Sequence, residues 1–286
     1  MKERKKYKKL PYRKIILTTT LILVVTLFIS YFVFKKHILQ NTLPLQSNLE
    51  EINEPYDYPI KPGSEEWKQF QSHKEMINAC QIPEDLLKRL STDALVETVI
   101  NYPLYGDFLA YNNMNQGFEN IKSTFNGIQE LITRPDSGSE LLSKYIKYDV
   151  ISYCKSCSLE EQGKYAFDLN YIELLFSQPE ILNTLTPQEH NRLNSEVLYK
   201  FNQEIEDNNI YGIASIERIV YLAYQNITSG NMLIICNLSI DFEKKSYLFR
   251  YYATFIPYQN DAETQQNVIN NIMSCVSLID TRNNSL

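Results

Sequence analysis

The chain has 286 residues, of which 44% are hydrophobic and 12% aromatic, and this composition excludes a disordered protein. Its 8 glycines and 11 prolines exclude collagen-like sequence, and its 5 cysteines exclude a disulfide-dense scaffold. The net charge of −6 is unevenly distributed, because eight of the first fourteen residues are Lys or Arg, whereas the chain from His37 onward has 18 basic and 33 acidic residues. An acidic surface of this kind repels nucleic acid, so no nucleic-acid partner is predicted.

The N-terminal part of the chain contains an uncharged apolar run of twenty residues that starts at Ile15 and ends at Phe34. As a helix it spans about 30 Å of hydrocarbon. A cleaved signal peptide and a buried core helix are the alternatives, but the run is longer than a signal-peptide core, lacks a small-residue cleavage site and has no polar face. The basic flank places residues 1–14 in the cytoplasm. The sequence therefore predicts a single-pass cell-membrane protein with transmembrane residues 15–34 and an extracytoplasmic chain after His37.

Residues 35–63 are predicted to form a tether between the membrane and a folded domain. Four prolines and Gly63 interrupt any helix in this stretch, and four acidic residues between positions 50 and 57 keep it solvated. A strand packed on the domain around residues 56–60 is the alternative.

Residues 64–286 are predicted to form an extracytoplasmic domain of successive helices. Ser64 is a favourable N-cap for a first helix that extends across Met76. A later helix is predicted to begin at Ser91 and to stop before Pro103, because proline disfavours a helical conformation in the residue that precedes it.

The clearest helical patterns lie further along the chain. Apolar residues at spacings of three and four predict one helix over 118–132, ended by Pro135. Thr186, Pro187 and Glu189 form a start signal, in which Thr is the N-cap, Pro occupies the first helical position and Glu completes a capping box. The helix that follows is predicted to bury Leu193, Val197, Leu198, Phe201 and Ile205. Further helices are predicted over 213–228 and 262–279.

The segment 232–256 is the ambiguous part of this pattern. Two apolar, β-branched runs flank a polar stretch, which fits either a hairpin or two buried helices. The neighbouring helices favour the helical interpretation. The predicted fold is therefore all-α, an irregular helical-repeat (HEAT/armadillo-like) array of helix pairs behind one transmembrane helix. An α+β fold with a hairpin at 232–256 is the alternative.

Three stretches resemble a helical domain of exported bacterial proteins of unknown function: 62–67 (Pro-Gly-Ser-Glu-Glu-Trp), 79–84 (Ala-Cys-Gln-Ile-Pro-Glu) and 91–103, which begins Ser-Thr-Asp-Ala-Leu-Val. The similarity continues more weakly through 118–131 and 186–211 and covers about half of the chain. In some of these proteins a Cys/His hydrolase-like domain follows the helices. Here no histidine follows His190, so the resemblance implies a helical fold and export but no activity.

Cys154 and Cys157 are the only closely spaced pair of cysteines. A zinc site needs two further ligands at a recognisable spacing, and a redox motif needs a βαβ setting, neither of which is present. A structural disulfide and inert buried thiols are the remaining interpretations. We therefore predict that no metal and no cofactor is bound. Cys154 and Cys157 are the candidate metal ligands, but the two alone do not complete a site. Cys80, Cys236 and Cys275 are predicted to be core residues.

The other reactive side chains do not form a catalytic pattern. His37, His73 and His190 are each predicted to be solvated surface residues, and no motif of a hydrolase, nucleotide-binding or metalloprotease site is present. No catalytic residue is therefore predicted. Asn226 and Asn237 begin glycosylation sequons, which matter only in a host that glycosylates.

An aromatic loop between two predicted helices is the candidate binding site. Tyr102, Tyr105, Phe108 and Tyr111 lie in or beside it. Such a loop fits a partner-binding edge, while the competing interpretation is that the rings fill the seam between helix pairs.

Two functions remain on this basis. The first is a membrane-anchored extracytoplasmic helical module that binds a protein or a cell-envelope component. The second is an extracytoplasmic hydrolase that uses carboxylates. Because no nucleophile–base arrangement is evident, the binding module is favoured and enzymatic activity is not predicted.

Overall fold

The computed structural model describes residues 50–111, 114–148, 157–206, 208–230 and 262–283. These residues form helices joined by short turns and contain no strand beyond one isolated parallel bridge between Ile52 and Leu90. This confirms the all-α prediction for the described residues; segment 232–256 lies outside them. The helices are α1 (His73–Ala79), α2 (Glu84–Leu87), α3 (Thr92–Ile100), α4 (Met114–Thr124), α5 (Asn126–Leu131), α6 (Ser137–Lys147), α7 (Leu159–Phe176), α8 (Pro179–Leu182), α9 (Pro187–Glu206), α10 (Asn208–Ser229) and α11 (Ala262–Asn283). Two 3-10 turns cover Trp67–Gln69 and Tyr105–Ala110.

The predicted first helix is interrupted, because Phe70 has an extended backbone. Ser64 caps only the 3-10 turn, where its Oγ accepts a hydrogen bond from the Trp67 N–H at 3.1 Å. Helix α1 begins separately after Ser72, whose Oγ accepts from the Glu75 N–H. Helix α3, in contrast, begins after its predicted cap Ser91 and ends before Pro103.

A break at Phe125 divides the predicted helix over 118–132 into α4 and α5. The side chain of Asn126 explains this break, because its Nδ2 donates to the Ile82 carbonyl at 2.7 Å and its Oδ1 accepts from the Ile82 N–H at 3.0 Å. These bonds attach the start of α5 to the 81–82 connection. The apolar period continues through the break, because Phe125 is fully buried although its backbone is not helical. Periodicity alone therefore does not reveal the break.

Helix α7 has no counterpart among the helices predicted from the sequence, although it packs on α3, α6 and α10. Its last six residues, 171–176, are buried on every side, so they show no helical period. The signal that marks its start is the Ser158/Glu161 capping box, in which each side chain bonds the backbone N–H of the other.

Helix α9 begins with the predicted capping box and packs on α6, α10 and α11. Thr186 Oγ1 accepts from the Glu189 N–H at 3.3 Å, and Glu189 Oε2 accepts from the Thr186 N–H at 2.8 Å. The predicted inward face is confirmed for Leu193, Val197 and Phe201, whereas Ile205 is 48% exposed and that part of the prediction is wrong.

The segment before the first 3-10 turn lies against the helical domain. Residues Glu51–Leu286 form one compact unit. Tyr58 is buried and its hydroxyl donates to the Thr98 carbonyl at 3.0 Å, while the Tyr56 N–H donates to Thr98 Oγ1 at 2.9 Å. The described end of the predicted tether therefore packs on α3, although it does not form a regular strand.

Within the described ranges, no helix has the length and apolarity needed to cross a bilayer. The predicted membrane span that starts at Ile15 and ends at Phe34 lies outside those ranges, as do residues 1–14.

Candidate functional site

Two acidic side chains lie in the protein core, Glu173 on α7 and Glu204 on α9, and neither has any exposed surface. Glu173 Oε1 accepts a hydrogen bond from the Tyr145 hydroxyl at 2.9 Å. The other three carboxylate oxygens of the pair have no hydrogen-bond partner among the described residues. Such an arrangement is costly for ionised carboxylates, which need hydrogen bonds or counter-charges when they are buried.

Burial changes the protonation of both acids. It raises the pKa of Glu173 to about 8, although the Tyr145 hydrogen bond and the charges of Lys200 and Arg218 oppose this effect. Burial also raises the pKa of Glu204 well above its usual range, and the nearby Glu173 carboxylate raises it further. Both side chains are therefore protonated at mildly acidic pH.

The buried ammonium group of Lys200 contacts groups other than the two buried acids. Its Nζ pairs with Glu196 Oε1 at 3.0 Å, donates to the Tyr148 carbonyl and lies 5.0 Å from the centre of the Tyr145 ring. On α10, the Arg218 guanidinium contacts Glu217 Oε2 at 3.5 Å. Through the Tyr145 side chain, the Glu173 and Lys200 contacts link α6 to α7 and to α9.

The buried acids are not placed for catalysis. A general acid or base must reach its substrate within hydrogen-bond distance. Glu173 and Glu204 are fully enclosed and do not line the groove described below. Their raised pKa values therefore reflect burial in the core.

A second buried polar network joins α9 and α10. His190 Nδ1 lies 2.6 Å from Asn226 Oδ1, while Asn226 Nδ2 donates to the His190 carbonyl at 3.0 Å and to Asn194 Oδ1 at 2.8 Å. The prediction that His190 is solvated is therefore wrong, since the first turn of α9 faces α10. Asn226 is fully buried, so its sequon is inaccessible in the folded chain.

The cysteines do not form a metal site in the described part of the chain. Cys80 is fully buried, as predicted, and burial raises the pKa of its thiol to about 11, which makes it unreactive. Cys275 is also buried but is disulfide-bonded. Among the described residues no group of three or more potential ligands occurs. Of the candidate pair, Cys157 is half-buried and Cys154 lies outside the described residues, as does Cys236.

A groove of about 610 Å³ lies where residues 55–62 meet α3, the 105–110 turn and α7. We call it the tyrosine groove, because five tyrosines and three prolines contribute to its wall. Its lining residues are Pro55, Tyr56, Asp57, Tyr58, Lys61, Pro62, Ile100, Asn101, Tyr102, Pro103, Tyr105, Tyr148, Lys164 and Asp168.

The charged groups of the groove are paired with one another. Asp168 accepts a hydrogen bond from the Tyr105 hydroxyl on Oδ1 at 2.6 Å and pairs through Oδ2 with Lys164 Nζ at 2.5 Å. Lys61 Nζ pairs with Asp57 Oδ1 at 2.5 Å. The two lysines and two aspartates leave the wall formally neutral. Burial raises the pKa of the Tyr105 hydroxyl, and the hydrogen bond to Asp168 raises it further, so this hydroxyl stays protonated.

Ring packing fixes the floor of the groove. Tyr102 stacks on Phe125 with ring centres 3.9 Å apart, and Tyr58 lies 6.4 Å from Tyr102. The Tyr56 ring stands edge-on to Tyr58 at 5.1 Å. These ring contacts hold Tyr56, Tyr58 and Tyr102 in place beneath and beside the groove.

The predicted binding loop is divided by the structure. Tyr102 and Tyr105 both belong to the lining of the tyrosine groove, but only Tyr105 is accessible, because Tyr102 is 1% exposed. Phe108 packs against Phe167 at 5.5 Å and is equally buried. Tyr111 is 37% exposed but is not part of the groove wall. Gly117 of α4 is what allows the loop to pack so closely, because a Cβ there would lie 2.2 Å from the Phe108 carbonyl oxygen.

Sequence reasoning did not identify the rest of the wall. Tyr56 and Tyr58 lie in the segment predicted to be a solvated tether, and the available sequence signal is a pair of tyrosines between Pro55 and Pro59. Tyr148, Lys164 and Asp168 belong to the part of the chain around α7, for which no helix was predicted.

Comparisons with protein-family models, with curated proteins and with solved structures find no match to this chain. The resemblance to a helical domain of exported bacterial proteins therefore remains an expectation.

Proposed function

We propose that this protein is a single-pass membrane protein whose extracytoplasmic helical domain binds a protein or cell-envelope partner in the tyrosine groove. The observation that carries this proposal is the groove itself, a formally neutral concavity on the described surface to which the partly exposed rings of Tyr56, Tyr105 and Tyr148 contribute. Aromatic residues placed in concave sites are the usual anchors of binding surfaces.

The location part of the proposal is supported by charge and by cysteine chemistry. The basic residues 1–14 precede the apolar run from Ile15 to Phe34, and the remainder of the chain is acidic. Cys275 is disulfide-bonded, and disulfides persist in oxidising compartments outside the cytoplasm. We further propose that the helices form an irregular repeat array, similar to that of the exported bacterial domains, and that neither nucleic acid nor a cofactor is bound.

An extracytoplasmic hydrolase with carboxylate catalysis is the alternative function. In the groove it would have to use Asp57 and Asp168. Both oxygens of Asp168 are already engaged by Tyr105 and Lys164, and Asp57 is largely exposed to solvent. Asp57 therefore lacks the desolvated environment that tunes a general acid, and Asp168 is occupied by contacts within the protein, which favours binding over catalysis.

Protease accessibility tests the topology. We expect protease added to cells, stripped of any wall, to digest the chain after His37 and to spare a tag at the N-terminus. Protection of the domain while a periplasmic or secreted control protein is digested would contradict the proposed location.

Site-specific cross-linking tests the groove. A photoreactive residue in place of Asn101, which is exposed at the groove, should form a defined adduct in intact cells. The same residue in place of the exposed Tyr199 on α9 is the matched control. Equal adduct patterns at the two positions would contradict binding in the groove.

A further inference from the structure

We propose that the buried acids Glu173 and Glu204 form a pH-sensitive switch that decides which groups the Lys200 ammonium binds. While both acids are protonated, Lys200 holds the backbone of Tyr148 just after the end of α6. When the acids ionise, Lys200 moves to their carboxylates and releases that backbone. The inference follows from the missing partners of the acids, from the position of Lys200 between two sets of groups and from the contacts of Tyr148.

The observed contacts of the two acids suit their neutral form. Among the described residues, Glu173 Oε2 and both carboxylate oxygens of Glu204 have no hydrogen-bond partner, and Glu173 Oε1 accepts from the Tyr145 hydroxyl. An enclosed carboxylate with so few donors is costly, whereas a protonated carboxyl group loses much less on burial. Ionisation of the acids therefore requires that a donor move toward them.

Lys200 on α9 is the cation placed to make this move. Its Nζ lies 5.0 Å from the centre of the Tyr145 ring, and the hydroxyl of the same ring donates to Glu173. In the observed arrangement this Nζ is bound instead to Glu196 Oε1 at 3.0 Å and to the Tyr148 carbonyl. The lysine side chain is flexible, so it can exchange these partners for an ionised carboxylate while the α9 backbone stays in place.

The charged and titratable groups that face the two acids come from three helices: Tyr145 on α6, Lys200 and Glu196 on α9, and Arg218 and Glu217 on α10. The charge of Arg218 lowers the pKa of Glu173, but its guanidinium contacts Glu217 Oε2 at 3.5 Å. The acidic residues Glu97 on α3 and Asp280 on α11 contact Lys144 and Ser195. Lys200 is thus the cation that adjoins the bond between Tyr145 and Glu173.

Tyr148 is the residue that the switch releases. It directly follows α6, where its backbone is extended and its N–H donates to the Tyr145 carbonyl at 3.2 Å. Its ring lies 5.2 Å from the Tyr165 ring on α7 and contributes to the wall of the tyrosine groove. Loss of the Lys200 bond removes a link between this residue and α9, so the Tyr148 ring changes its surroundings when the acids ionise.

The test is fluorine NMR of the full chain in lipid nanodiscs, with 4-trifluoromethylphenylalanine in place of Tyr148. This side chain does not ionise and leaves the backbone carbonyl unchanged. Between pH 6 and pH 9.5 we expect a step in the fluorine chemical shift with a midpoint at about 8, where the pKa of Glu173 lies. The same probe in place of Tyr199, an exposed residue of α9, is the matched control and should show no step.

Three variants identify the groups that produce the step. Glu173→Gln combined with Glu204→Gln should abolish it, because neither glutamine ionises. Lys200→Met should also abolish it, because the Tyr148 carbonyl then has no ammonium group to lose. Tyr145→Phe should move the midpoint to higher pH, since the hydrogen bond from this hydroxyl lowers the pKa of Glu173. This conservative change keeps the test valid if the other variants do not fold.

Each outcome decides the inference. A probe at position 148 that shows no step, or an equal step at position 199, would overturn the switch, since the second result indicates a change of the whole domain. A step that persists in the double glutamine variant would mean that other groups sense the pH. A step that persists in Lys200→Met, or a midpoint unchanged in Tyr145→Phe, would overturn the proposed link from Glu173 through Lys200 to Tyr148.

Discussion

The protonated state of Glu173 is the residue-scale property with the clearest consequence for stability. Its pKa is raised by burial from 4.5 to about 8, so the folded chain holds a proton that the unfolded chain releases. The resulting stabilisation is complete below pH 4.5 and is lost as the pH rises toward 8, at up to about 1.4 kcal/mol per pH unit. We therefore expect the free energy of unfolding to fall across this interval.

Glu173→Gln should reduce this dependence to the part that Glu204 contributes, because glutamine cannot ionise yet still offers an oxygen to the Tyr145 hydroxyl. Denaturant titrations at pH 5, 7 and 9 measure the slope, and Glu160→Gln, at an exposed position on the same helix, is the control. A wild-type stability that rises from pH 5 to pH 8, or an unchanged slope in Glu173→Gln, would contradict the assignment.

At the scale of the secondary-structure element, the start of α9 is the best-defined cap. Thr186 satisfies the Glu189 N–H, and Glu189 also accepts a hydrogen bond from Ser139 on α6 at 2.6 Å. Thr186→Ala leaves a helix N-terminal donor without its partner, and we expect it to lower the free energy of unfolding by about 1 kcal/mol.

The matched control for this cap is Thr281→Ala, because Thr281 on α11 is exposed and its hydroxyl donates to the Ser277 carbonyl of its own helix. That change should be near neutral, since alanine is the better helix former. Equal effects of the two substitutions in chemical denaturation would mean that the Thr186 hydroxyl does not stabilise the helix start.

Comparison of α9 with α7 shows which elements could be predicted. Helix α9 has a cap motif and one apolar face, so local rules locate it correctly. The end of α7 is buried on all sides and therefore lacks a period, and the break at Phe125 depends on bonds between Asn126 and Ile82, which lie 44 positions apart. Long-range contacts of this kind cannot be read from a local pattern.

The same limit applies to the candidate site. Tyr102 and Tyr105 were found because they surround a loop between two helical patterns. Tyr56 and Tyr58 were not found, since whether a proline-rich segment is solvated or docked depends on the surface beside it. The buried acids were missed because Glu173 and Glu204 are indistinguishable in sequence from acids on solvated helix faces.

At the scale of the whole molecule, the compact unit of the structure begins at Glu51, thirteen residues before the predicted domain start at position 64. Tyr58 is 4% exposed and closes the core beside Tyr102, while Ile52 exchanges backbone hydrogen bonds with Arg89 and Ser91 at 2.9 Å. A fragment that begins at position 62 lacks all of these contacts. It also lacks most of one wall of the tyrosine groove.

We therefore expect a fragment of residues 51–286 to be monodisperse without detergent, strongly helical by circular dichroism and cooperative in unfolding. A fragment of residues 62–286 should be less stable by at least about 3 kcal/mol, because removal of a buried aromatic side chain leaves a cavity in the core. Tyr58→Phe in the longer fragment keeps the ring and loses only the hydrogen bond to the Thr98 carbonyl, so its cost should be about 1 kcal/mol. Equal stability of the two fragments in denaturant titrations would show that residues 51–61 are a solvated tether after all, and the groove would then lose the wall on which its ligand is proposed to rest.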